Sequence, residues 1–62
     1  MTRKDYELIA SVIARRVDSA GDEFTELNAI TKVGVSLSAE FQRQNPRFDR
    51  ERFLKACGLI PA

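Results

Sequence analysis

Gly21 and the step from Asn45 to Pro46 cut the chain into three segments, and the lengths they leave constrain what it can build. The first two segments are long enough for helices of several turns. The last has room for about two turns. No internal repeat, low-complexity tract or linker interrupts them. In the first segment, Thr2 and Asp5 stand in the spacing of a capping box, with Asp in place of the usual Glu. Tyr6, Ile9, Ile13, Val17 and Ala20 then recur at intervals of three and four, which is one face of a helix. Glu7, Ser11, Arg15 and Asp18 fall opposite and are expected in solvent. Leu8 and Val12 form a side stripe outside the main face, to be covered by the third segment or left for a partner.

The second segment admits two periods. Asp22 suits the N-cap position after Gly21, and Glu23 and Glu26 suit the positive end of a helix dipole. Leu27, Ile30, Gly34, Leu37 and Phe41 would make the buried stripe of that helix. Yet Thr31, Val33, Val35 and Leu37 also alternate with Lys32, Gly34, Ser36 and Ser38, as in a half-buried strand. Such a strand has no partner within the chain and would need a second copy. Helix is the favoured alternative, although Gly34 costs it about 1 kcal/mol relative to Ala.

The third segment is the best marked. Asn45 before Pro46 ends the second helix. Phe48, the N-cap Asp49 and Phe53 make a hydrophobic staple. Phe53, Leu54 and Cys57 share a face, Gly58 takes a left-handed position, Leu59 folds back on Leu54, and Pro61 prevents resumption. The expectation is a single all-α domain over residues 1–62, with helices at about 3–19, 23–44 and 50–57. The first two form an antiparallel two-helix hairpin, and the short third C-terminal helix packs across it.

Composition narrows the chemistry. The 62 residues include no histidine, no tryptophan and one cysteine, and ten Lys/Arg against nine Asp/Glu leave a net charge of +1. Without histidine there is no imidazole for nucleophile activation, proton shuttling or zinc ligation. Cys57 falls at a helix C-terminus, where the dipole disfavours thiolate, so a buried packing role is expected. Gly21, Gly34 and Gly58 are isolated and make no phosphate loop. No enzyme, cofactor or metal is therefore expected. A lone cysteine makes no internal disulfide, which fits a reducing cytoplasm. No apolar run approaches the ~18 residues of a membrane span, and no signal peptide is read at the start. A core this small supplies about 3–5 kcal/mol, so a partner or a second copy would add to its stability.

Two features invite a binding role. Gly34, with Thr31 and Ser38 nearby, serves either close packing of the second helix on the first or a homodimer seam. The charges are also segregated. Asp18, Asp22, Glu23 and Glu26 lie between Val17 and Thr31 without a basic residue. Arg43, Arg47, Arg50, Arg52 and Lys55 follow Phe41 against only Asp49 and Glu51. That basic end is a solvated face with local ion pairs, a protein-binding rim, or a phosphate contact. Arg47 and Arg50 have Glu40, Asp49 and Glu51 as available partners.

The run NPRFDRERFL at 45–54, closing with ACG at 56–58, resembles the ending of a family of small, largely uncharacterised bacteriophage and prophage helical proteins. The opening TRKDYELIA at 2–10 looks like the start of the same family. The resemblance implies expression in the cytoplasm of an infected or lysogenic bacterium and an accessory role, and it supplies no catalytic residues. The function expected is stoichiometric protein binding that modulates a host or defence factor, with Leu8 and Val12 as apolar anchors and Arg47, Arg50 and Lys55 on the rim. A nucleic-acid-binding regulator using the basic C-terminal surface is the first alternative. A homo-oligomeric assembly factor, joined along Thr31, Gly34 and Ser38, is the second.

Overall fold

A computed structural model describes residues 1–61. The described residues form three helices, α1 (Arg3–Ala20), α2 (Phe24–Gln44) and α3 (Arg50–Ala56), each packed against the other two. The capping box starts α1: the Thr2 backbone N–H donates to Asp5 Oδ2 at 2.8 Å, and the Asp5 N–H donates to Thr2 Oγ1 at 3.4 Å. The Thr2 N–H, and after it the Thr2 hydroxyl donating to the same Oδ2 at 3.2 Å, hold the Asp5 carboxyl below its ordinary range, because they favour the charged form. At the other end Gly21 adopts φ 57°, and the Glu23 N–H reaches the Ala20 carbonyl at 3.0 Å to close the turn. A positive φ is what requires glycine there.

The start of α2 differs from expectation by one residue. Glu23, not Asp22, is the N-cap; its longer side chain curls onto the Thr25 N–H at 2.9 Å. The strand alternative is overturned, since residues 31–38 lie inside α2. Val33 and Val35 are both exposed because residues two apart on a helix point about 200° apart, to either side of the buried stripe. Asn45 takes an extended conformation before Pro46 and stops the helix.

The third segment folds as its punctuation indicates. Asp49 Oδ1 accepts from the Arg52 N–H at 3.0 Å, and the Phe48 and Phe53 rings lie 5.6 Å apart across that cap. Gly58 at φ 76° donates to the Lys55 carbonyl and Leu59 to the Leu54 carbonyl, both at 3.0 Å, which is the pair of bonds of a Schellman ending. Cys57 is the C-cap, so α3 stops one residue earlier than expected.

Four aromatic rings tie the helices together. Tyr6, near the start of α1, lies 5.0 Å from Phe41, near the end of α2, and 4.6 Å from Phe48 in the connection to α3. Phe41 and Phe53 meet edge to face at 5.5 Å. Edge-to-face contacts of this kind add about 0.5–1.5 kcal/mol beyond area burial. Ala10 and Cys57 complete the buried cluster, with Ile9, Ile13, Leu37, Leu54 and Leu59 packed on it.

Candidate binding surfaces

Gly34 and Ser38, offered either for close packing within the chain or for a second copy, are buried within the chain. Gly34 is buried because Leu59, delivered by the Schellman turn, sits where a Cβ would be, with Leu54 Cδ2 at 4.0 Å from that position. Ser38 is fully buried; its hydroxyl donates to the Val35 carbonyl at 2.7 Å and accepts from Arg50 Nε at 3.3 Å. Thr31 is half-buried and spends its hydroxyl on the Leu27 carbonyl. Of the seam at Thr31, Gly34 and Ser38, the last two are thus corrected to an intramolecular seat. Its occupants are the C-terminal turn and Arg50 rather than α1 or a second copy.

Arg50 moves with it. Half-buried and bonded to Ser38, it clamps α3 across α2 and does not stand on an open rim. Lys55 pairs with Glu51 at 3.1 Å, and Arg43 pairs with Glu40, which holds the Glu40 carboxyl below its ordinary range. Arg47 is exposed and, among the described residues, has no ion-pair partner; the same holds for Arg52.

Arg47 and Arg52 stand over a groove of about 370 Å³ between the start of α1 and α3. Tyr6, Ala10, Phe48, Phe53 and Ala56 supply its apolar lining, and Arg3 is the third guanidinium on its edge. The two acids there are already engaged. Glu7 pairs with Arg3 at 3.3 Å, and Asp49 caps α3. Ala10, which the spacing of larger residues left off the expected core face, is buried at the base of this region.

Leu8 and Val12 are not part of that groove. Each is two residues from Ala10, so each points about 200° away from it around α1. They are 63% and 45% exposed. The expected single surface of Leu8, Val12, Arg47, Arg50 and Lys55 therefore separates into an apolar stripe, an arginine groove, an internal clamp and a paired lysine. The largest exposed apolar side chain is one the sequence reading passed over. Phe24, at the first turn of α2, is 77% exposed between Glu23 and Glu26. Its neighbours, acidic residues around an aromatic one, were the available signal.

Cys57 is fully buried, and burial pushes its thiol up to about 11, which keeps it protonated at neutral pH. Among the described residues no group of three or more His, Cys, Asp or Glu is disposed to hold a metal, and no helix is long and apolar enough to cross a membrane. Compared with protein-family models, curated proteins and solved structures, the chain matches none.

Proposed function

We propose that this chain is a non-enzymatic accessory module that acts by stoichiometric binding to another protein through an apolar side of its two long helices. We take those helices as an antiparallel hairpin with α3 lying across one side. The observation that carries this is the exposure of Leu8 (63%), Val12 (45%) and Val33 (56%). On α2, Ser38 and Gln42 face α3 and its connection through their bonds to Arg50 and to the Phe48 carbonyl. Val33 is nine residues from Gln42, or about 180° around the helix. On α1, Ala10 lies towards α3 and Leu8 and Val12 lie away from it. These three side chains thus fall on the side that α3 leaves open. Protein interfaces concentrate their energy in a few such anchors, with charged residues contributing mainly at the rim.

The resemblance of both chain ends to small phage proteins supports a partner in the bacterial cytoplasm, either host or phage. Arg47 and Arg52 favour the nucleic-acid alternative. Against it stands α3, which at 7 residues spans only about 10 Å and is short for a recognition helix. Quantitative capture from bacterial lysate tests the proposal. Leu8→Asp should retain wild-type helix content and lose the captured protein; unchanged capture by that variant contradicts it.

A further inference from the structure

The two ends of the molecule differ in charge, and each exposes apolar surface. At the turn between α1 and α2, Phe24 is 77% exposed, and the acidic residues of this end of the chain, Asp18, Asp22 and Glu26, have no ion-pair partner among the described residues. Asp18 also sits in the last turn of α1, the negative end of that helix's dipole, where a carboxylate is disfavoured. At the opposite end, beyond the roughly 27 Å length of α1, Arg47 and Arg52, without an ion-pair partner among the described residues, stand over the groove lined by Phe48 and Ala10.

We propose that the groove is the docking site for a second copy of this chain, which inserts Phe24 between the arginines while the acidic end that carries Phe24, Asp18 and Asp22 included, meets Arg47 and Arg52. A groove of about 370 Å³ has room for one aromatic ring. Each end supplies what the other lacks: an apolar plug with anionic flanks, and an apolar slot with cationic edges. The contact is head-to-tail, so the surfaces are different on the two copies and the assembly grows into a ring or an open chain rather than stopping as a two-fold dimer. It uses neither Leu8, Val12 nor Val33, so it stands or falls separately from the binding of another protein by that side.

Sedimentation equilibrium on the full chain tests it, with two variants at exposed positions that leave the core alone. Phe24→Ala removes the plug and keeps the groove. The double variant Arg47→Glu with Arg52→Glu disables the groove and keeps the plug. Wild type should associate with rising concentration, less so in high salt. Each variant alone should associate about tenfold to a hundredfold more weakly, the range expected for withdrawing a buried aromatic side chain. An equimolar mixture of the two should recover a one-to-one pair that grows no further, because its remaining plug and groove are both disabled. Wild-type association in Phe24→Ala, or a mixture that stays monomeric, overturns the assembly. So does an oligonucleotide bound by wild type and Phe24→Ala but not by the double variant, if the mixture forms no pair; the groove would then belong to a nucleic acid.

Discussion

Replacing Gly34 by Ala sets two opposing effects against each other, and the structure says which residue decides between them. In the middle of α2, Ala should stabilise the helix by about 1 kcal/mol through its propensity. The new methyl, however, would occupy the place of Leu59 Cδ1, the end of a side chain able to rotate away. Leu59 would then leave its seat between Gly34 and Leu54, forfeiting about 0.8 kcal/mol for each methyl or methylene returned to water. Losing one or two such groups offsets the helical gain, so Gly34→Ala alone should lie between no change and about 1 kcal/mol of destabilisation. In a Leu59→Ala background the overlap is gone, and the same substitution should stabilise by about 1 kcal/mol. The double-mutant cycle should therefore show a coupling of about 1–2 kcal/mol, measured as shifts in urea midpoint at constant slope. If Gly34→Ala stabilises both backgrounds equally, Leu59 does not fill the space above Gly34, and the correction of the seam to an internal seat is wrong.

Three further outcomes follow from the core and the caps. Phe53→Ala removes a ring that meets Phe41 and Phe48, and should cost about 3–5 kcal/mol, enough to leave most of the chain unfolded at 25 °C; cooperative melting with full helical circular dichroism would contradict this. The Asp5 carboxyl is held low by Thr2, so the capping box stabilises α1 fully above the ordinary Asp value of 3.8 and is lost as pH falls through the depressed value. Thr2→Ala deletes the hydroxyl but keeps the backbone N–H that bonds the carboxylate most strongly, so the Asp5 titration, followed by NMR, should move only part of the way back towards the ordinary range; a complete return would refute the backbone bond. Cys57, buried and raised to about 11, should resist alkylation by iodoacetamide at neutral pH until the chain is unfolded in urea; rapid modification of folded protein would show the thiol accessible.

Local signals along the chain were legible where one residue has one task. Thr2 with Asp5, Asp49 between Phe48 and Phe53, and Gly58 before Leu59 each define a cap by spacing alone, and each is formed. Gly34 was harder. Its smallness marks a close approach, but spacing carries no information on which distant segment makes it, and Leu59 arrives through a turn 24 residues later. Arg50 was misplaced for a similar reason: a guanidinium near a cap reads as surface until a buried hydroxyl such as Ser38 is brought opposite it. The separation of Leu8 and Val12 from Arg47 needed the rotation of α1 relative to α3, which only packing supplies. Phe24 was passed over because it falls at the first helical position, outside the stripe that begins at Leu27.

The most direct measurement of the proposed activity is a comparison of two variants in the same capture experiment from bacterial lysate, with bound protein identified and quantified. Leu8→Asp places a charge on the open side of the long helices, and Arg47→Glu reverses one on the groove. Binding through the apolar side predicts that Leu8→Asp abolishes one-to-one capture of a protein at unchanged helix content, while Arg47→Glu retains it at low and high salt. Full capture by Leu8→Asp, with a salt-sensitive bound species lost in Arg47→Glu, would contradict that account.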